Sequence, residues 1–353
     1  MSAPGPRPLR LLIVDDSRAS RGELEAMLAS APGIEIAGHA GDGEEALRQA
    51  LALAPDAILL DLQMPRMDGF TFLRLLMERH PTPVVVLSGA SRRGDVFKSL
   101  EFGALDFVAK PEEGGLSAVR GELLAKLEVV RALRIENLEP IAARERPPAR
   151  MAALVEPPRV AVIGASTGGP RALQEILAAL PGDLPLGILV AQHMPARFTR
   201  AFADRLARTS RLAVAEAADG DLVAAGRVLV APGGCHLELE RAPEPGGTLR
   251  AAVRPRDPAA AGDRYCPSVD RLLASAARLL GPRACAAILT GMGTDGRAGA
   301  EAVRAAGGLT LAESERTAVV YGMPGAAVAA GAVDEVLDLQ DVAGRLVRFA
   351  RGA

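Results

Sequence analysis

Ser166 stands in the stretch VAVIGASTGGPRALQEIL (residues 160–177), where an apolar run ends in a glycine-rich bend and apolar residues at helical spacing (Leu173, Ile176, Leu177) follow. That pattern predicts a tight strand-to-helix turn with the serine hydroxyl in the open. The bend reads Gly164-x-Ser166-x-Gly168, the outline of a nucleophile elbow. Its glycines permit positive φ, and the N–H groups opening the helix face a developing oxyanion. A glycine-rich turn after a strand equally suits phosphate cradling or plain connection. Partners for the hydroxyl decide between these.

A serine nucleophile needs a base. Of the four histidines, His39 and His80 belong to the N-terminal half, leaving His193 and His236. His193 follows the apolar run GILVAQ and precedes Met194–Pro195, just past a strand's carboxyl end, where it can meet Ser166. His236, inside the alternating run CHLELE, suits a strand face. The base in turn wants a carboxylate to fix its tautomer, and Asp295, in the turn GMGTDG after ACAAILT, is best placed. An aspartate there also serves as a turn former or helix cap, and Asp270, Asp219 and Asp221 read that way. The order Ser…His…Asp differs from the Ser…Asp…His of elbow hydrolases, so a fold other than theirs is expected.

The N-terminal half carries a second chemistry. Short apolar runs at 9–14, 34–37, 57–60, 84–87 and 106–109 alternate with helix-period segments such as 21–29 and 70–78. This βα repeat predicts a doubly wound parallel sheet, whose ligands collect beyond the carboxyl ends of its strands. Those ends carry Asp15 and Asp16, Asp61, Ser88 and Lys110. Carboxylates gathered at one edge repel unless a cation sits among them, and an oxygen-rich, hydrated pocket suits Mg²⁺. Lys110 and Ser88 suit a phosphoryl group, which makes Asp61 a candidate nucleophile towards a phosphodonor.

The elements that must hold these groups divide the chain in two. A last helix is expected over 116–133, then clustered prolines at 139–158 (EPIAARERPPARMAALVEPP) predict an extended spacer. Runs at 160–163, 187–191, 227–231 and 284–290 predict a second α/β sheet. The expected domains are 9–133 and 159–353, joined by a linker at 134–158. A chain of 353 residues with 49% hydrophobic and 24% charged residues supports two such cores, and 3% aromatic content with no tryptophan makes them aliphatic. A formal net charge of −2 argues against nucleic acid as partner. No run approaches the roughly 18 apolar residues of a membrane span, and MSAPGPRPLR lacks the apolar centre of a secretory signal, so a cytoplasmic protein is expected. Cys235, Cys266 and Cys285 are odd in number and widely spaced, suggesting neither a disulfide framework nor a zinc site.

The first half resembles a response-regulator receiver domain, a flavodoxin-like fold, through IVDDS (13–17), DLQMPRMDGF (61–70), LSGA (87–90) and FVAKP (107–111). The resemblance implies phosphorylation at Asp61, Mg²⁺ held by Asp15, Asp16, Asp61 and the backbone carbonyl of Gln63, and a cis Lys110–Pro111 peptide. It makes Ser88 the hydroxyl that senses the phosphoryl group, and Phe107 either a switch aromatic or an ordinary strand-end apolar residue.

Residues from about 160 onward resemble the catalytic domain of the CheB family of chemotaxis protein-glutamate methylesterases. The stretches are IGASTGGP (163–170), QHMPARFTRAFADRL (192–206), VAPGGCHLELE (230–240), PSVDRLLASAA (267–277), LTGMGTDGRAG (289–299) and VYGMPGAA (320–327). Gln63 and Cys235 depart from the usual pattern, away from the catalytic groups. The resemblance implies Ser166 as nucleophile, His193 as general base and acid, Asp295 as orienting carboxylate, and Thr167 and Met292 lining the site with backbone N–H groups as oxyanion donors. It implies no cofactor for the esterase reaction, glutamate methyl esters on chemoreceptors as substrate, and deamidation of receptor glutamines as a companion reaction. A chemotaxis histidine kinase would be the phosphodonor, and the protein would be recruited to receptor clusters. The unphosphorylated receiver is expected to cover the Ser166 edge. A receiver-regulated esterase or amidase acting on another protein, or a phosphorylation-dependent binding module, are the competing readings.

Overall fold

The computed structural model describes residues 7–89, 93–111, 115–131, 133, 157, 159–243, 247–257 and 265–352. The expected linker, 134–158, lies outside the described residues except for Pro157. The chain divides into two compact units, Met1–Ala142 and Ala143–Ala353.

In the first unit, strands β1 (Leu9–Val14), β2 (Ile34–Ala40), β3 (Ala57–Asp61), β4 (Val84–Gly89) and β5 (Asp106–Lys110) form a parallel sheet in the order β2-β1-β3-β4-β5. Leu11–Ile13, Ile58–Leu60 and Val84–Val86 are wholly buried, as expected of strands covered on both faces. Between them run α1 (Arg18–Ala29), α2 (Gly43–Leu53), α3 (Gly69–Arg79), α4 (Arg93–Glu101) and, after β5, α5 (Arg120–Val130). The first three start where a side chain satisfies an orphan N–H: Ser17 accepts from Ser20, Asp42 from Glu45 and Asp68 from Thr71. Each expected strand is present, and β2 to β5 run one to three residues further. The single helix expected over 116–133 is instead a 3₁₀ turn, Leu116–Val119, followed by α5; the Leu116 N–H is tied to Glu23, which tightens the first turn.

The second unit has a parallel sheet of β6 (Arg159–Ala165), β7 (Leu186–Gln192), β8 (Ala213–Glu216), β9 (Arg227–Val230), β12 (Ala284–Ile288), β13 (Leu309–Glu313) and β14 (Glu335–Leu337), in the order β14-β13-β12-β6-β7-β9-β8. An antiparallel hairpin, β10 (Cys235–Arg241) with β11 (Leu249–Pro255), stands apart from it. The helices are α6 (Gly169–Ala179), α7 (Ala196–Thr209), α8 (Val269–Leu280), α9 (Arg297–Ala305), α10 (Met323–Ala329) and α11 (Leu339–Arg351). Alternate strand residues Val160, Val162, Leu189 and Ala191 join one core with Leu272, Leu273 and Ala276 of α8 and Leu237, Leu239 and Ala251 of the hairpin. The residues between them, Ala161, Ile163 and Val190, are equally buried, so this sheet too is covered on both faces.

The strand order reverses between β1 and β3 in the first sheet and between β6 and β12 in the second, where β8 and β9 also change places at the edge. Connections leave such a point in opposite directions and open a crevice at the carboxyl ends of the strands. Asp15 and Asp61 flank the first reversal; Ser166 and the 289–295 segment flank the second.

Candidate active site

In the second unit, Ser166 follows β6 and His193 follows β7. These strands pair with Ala165 opposite Gln192, and the His193 N–H donates to the Ala165 carbonyl at 3.0 Å. Parallel neighbours lie about 4.8 Å apart, so serine and histidine leave the sheet side by side. Gly168, at φ 80°, turns the chain into α6, and Ser166 accepts at its carbonyl from Gly169 N–H at 2.8 Å. The Ser166 N–H is used, donating to the Thr290 carbonyl at 3.0 Å. Gly291 explains how the β12 segment comes so near: a Cβ there would stand 2.6 Å from the Ser166 Cβ. Ser166 is half-buried and Thr167 buried, whereas Met292 is 40% exposed.

Asp295 is the most heavily satisfied group in the site. Its Oδ2 accepts from His193 Nε2 at 2.8 Å and Val269 N–H at 2.8 Å; its Oδ1 accepts from Asp270 N–H at 2.9 Å and Ser268 Oγ at 3.2 Å. Burial alone would raise its pKa, but the His193 hydrogen bond and charge, with the two N–H groups opening α8, hold it below the usual carboxylate range. An ionised carboxylate only accepts, so Nε2 carries the hydrogen, and in the neutral ring the lone pair falls on Nδ1. Among the described residues the buried Nδ1 has no hydrogen-bond partner, and Ser166 Oγ makes no hydrogen bond either. The structure thus joins His193 to Asp295 and leaves the Ser166–His193 contact open, a looseness common before substrate is bound. The N–H of Met292, next to Gly291, likewise makes no hydrogen bond among the described residues.

Three features escaped the sequence. Tyr265 stacks flat on the His193 ring, with centroids 4.6 Å apart and planes 1° from parallel. Gln192 lies buried between Ser166 and His193 and bonds to both. Glu313, only 1% exposed at the end of β13, accepts from the Thr290 N–H at 2.8 Å and from Thr317 Oγ1 at 3.1 Å. Burial pushes its carboxyl up to about 7. Asp270 sits against Asp295 and accepts from Gly296 and Gly299 N–H groups at the start of α9, with burial raising its pKa. His236 is wholly buried in β10, and Asp221 closes a local turn by accepting from Ala218 N–H.

In the first unit, one oxygen from each of Asp15, Asp16 and Asp61 falls within 4.8 Å of the others. Lys110 Nζ bonds to Asp15 Oδ2 at 2.8 Å and also to Asp61. Burial raises the pKa of Asp15 despite Lys110; for Lys110 itself burial works downwards, but its bonds to Asp15 and Asp61 outweigh it and the pKa rises. An all-carboxylate cluster of this kind fits a hard divalent cation. Gln63 donates its N–H to Asp61 Oδ1 at 2.9 Å and its side chain is exposed. Ser88 is buried near the end of β4, beside β5, which ends in Lys110. Phe107 is buried and packs edge-on to Phe97, a core position. The expected cis Lys110–Pro111 peptide is not found: among the described residues the cis bond is Cys266–Pro267, and Lys110–Pro111 adopts the trans form that X–Pro bonds ordinarily favour.

Residues 161–346 match the CheB methylesterase family model, and residues 11–118 match the response regulator receiver domain model. The chain belongs to the CheB methylesterase family. It is 66% identical over 98% of its length to protein-glutamate methylesterase/protein-glutamine glutaminase 6 of Anaeromyxobacter dehalogenans, covering 97% of that protein. It is 48% identical over 97% of its length to the corresponding enzyme 1 of Myxococcus xanthus, again covering 97%. Among solved structures, the Thermotoga maritima CheB methylesterase catalytic domain aligns with 55% of this chain and 99% of that one, at 40% identity and a TM-score of 0.51. As a CheB protein the chain is a protein-glutamate methylesterase/protein-glutamine glutaminase under receiver control, acting in chemotaxis adaptation.

Proposed function

We propose that Ser166, His193 and Asp295 form the nucleophile, base and orienting carboxylate of this CheB enzyme, and that its substrates are γ-methyl esters of glutamate on chemoreceptors. The observation that carries this reading is the His193–Asp295 pair, with a lone pair left on buried Nδ1 at the strand end beside Ser166. Nδ1 takes the Ser166 proton as Oγ attacks the ester carbonyl. Charge develops on the carbonyl oxygen, towards which the Met292 N–H and the opening of α6 supply donors. The imidazolium, stabilised by ionised Asp295, returns its proton to the leaving methoxide, which departs as methanol. Water, deprotonated by the same nitrogen, then hydrolyses the glutamyl-serine ester to a receptor carboxylate. Ammonia replaces methanol as leaving group when the substrate is a glutamine.

Asp61 is the phosphoacceptor of the receiver, with Lys110 Nζ placed against the transferred charge and Ser88 as the hydroxyl that senses it. Asp15, Asp16, Asp61 and the Gln63 carbonyl would hold Mg²⁺, which when bound supplies charge neutralisation for phosphoryl transfer. The phosphodonor is a chemotaxis histidine kinase, and the protein works in the cytoplasm at receptor clusters; no described helix is long and apolar enough to cross a membrane. Methanol release from a methylated receptor fragment tests the scheme. Wild-type chain should release methanol, Ser166→Ala should not, and Asp61→Asn should keep the basal rate while losing stimulation by a phosphodonor. Equal release by wild type and Ser166→Ala would sink the serine mechanism.

A further inference from the structure

Gln192 is the last residue of β7 and is 2% exposed. Its Nε2 donates to the Ser166 carbonyl at 2.8 Å and to the His193 carbonyl at 3.1 Å. Among the described residues the His193 carbonyl has no other donor, while that of Ser166 also receives the Gly169 N–H. Gln192 Oε1 is buried without a hydrogen-bond partner and lies over Gly169, where a Cβ would stand 2.1 Å from it. The amide orientation is fixed by these neighbours, since the reverse assignment would aim an oxygen at two carbonyl oxygens.

We infer that Gln192 is a positioning residue for the hydrolase reaction, a single amide that clamps the peptide carrying the nucleophile to the peptide carrying the base. The inference rests on the Ser166–His193–Asp295 reading. The His193 N–H bond to the Ala165 carbonyl ties the strand ends themselves; among the described residues Gln192 is the group that joins the Ser166 carbonyl to the His193 carbonyl. Without the clamp the partly buried His193 carbonyl loses its donor, and its peptide is free to rotate towards another. Rotation there swings Nδ1 relative to Ser166 Oγ, and a misplacement of about 1 Å costs about 10²-fold in rate. Substrate is held by other groups, so the loss falls on kcat and leaves KM alone.

The test uses the full chain, the methylated receptor fragment and an alkyl fluorophosphonate that labels Ser166 without needing receptor. Gln192→Met keeps the volume and removes both donors; Gln192→Asn keeps an amide that is too short to span both carbonyls. With thermal midpoint measured on each, Gln192→Met should lower kcat about 10²-fold and slow labelling in parallel, with KM within about twofold of wild type. Gln192→Asn should fall between the two, and it carries the test alone if Gln192→Met does not fold. Folded variants with wild-type kcat, or a kcat loss without slower labelling, overturn the clamp. Ser166→Ala separates the two levels: if it is inactive while the Gln192 variants match wild type, only the clamp fails, whereas an active Ser166→Ala overturns the reading beneath it as well.

Discussion

The two units solve the same problem at the same place with different means. Each gathers ionisable groups at the reversal point of a parallel sheet, yet the receiver balances its buried Asp15 with a side-chain cation, whereas the catalytic unit surrounds Asp295 with backbone N–H groups and an imidazole. The outcome for the carboxylates is opposite: Asp15 is shifted up and Asp295 down. A mobile ammonium can be drawn from one partner to another, and it is shared here between two aspartates. Fixed peptide dipoles cannot move. The arrangement suits a site that must accept and release a phosphoryl group in one unit, and a site that must hold one imidazole tautomer in the other.

The sharpest way to break this contrast is Asp295→Asn. The side chain keeps its size but can no longer hold the His193 tautomer, so kcat for methanol release should fall about 10³- to 10⁴-fold while Asp61 still takes up phosphate from a small phosphodonor. Next comes Asp61→Asn in the other unit, which should remove the phosphorylated species from an intact-mass spectrum and leave the labelling rate of Ser166 unchanged. Lys110→Met probes the side-chain cation: Asp15 is then buried beside Asp61 with no counter-charge, which should lower stability by about 3 kcal/mol in a metal-free urea titration, with added Mg²⁺ recovering much of it. An unchanged midpoint would mean that backbone groups, not Lys110, hold Asp15.

The smallest effect is expected at Glu313. Its carboxyl is pushed up from 4.5 to about 7, so over that window the unfolded chain sheds a proton that the folded chain keeps. Stability should therefore fall as pH rises from about 4.5 to about 7 and level off above, with at most about 3 kcal/mol at stake. Glu313→Gln keeps an acceptor for the Thr290 N–H and should flatten this part of the profile, raising the urea midpoint at pH 8. Parallel profiles for variant and wild type would remove Glu313 from the account.

Strand ends were legible because a charged or hydroxyl residue there terminates a continuous apolar run, Asp15, Asp61, Ser88 and Lys110 in one unit and Ser166 in the other, with His193 one residue past the end of its run. The edge strands β8 and β14, four and three residues long, offer too little period to read, and β13 mixes Thr310 into a short run whose burial only the sheet explains. Gln192 closes the same apolar run that announces His193, but which atoms its amide faces depends on the β6–β7 register. Asp270 does read as cap chemistry, yet the helix whose first turns it satisfies is α9 rather than its own α8, and Ser268 caps α8. Tyr265 gave no signal, since a lone aromatic after a polar stretch says nothing of an imidazole seventy residues earlier.

Thr290 touches no reacting atom, yet its backbone carbonyl receives Ser166, its N–H meets Glu313, and its hydroxyl donates to Thr167 while accepting from Val320. Three separate stretches of chain, the 166–167 turn, the end of β13 and the segment at Val320, therefore share one residue as their common fastening. Drift at any of them alone would loosen the others, so substitution should be tolerated better outward, at the exposed Met292 side chain, than at the knot behind it.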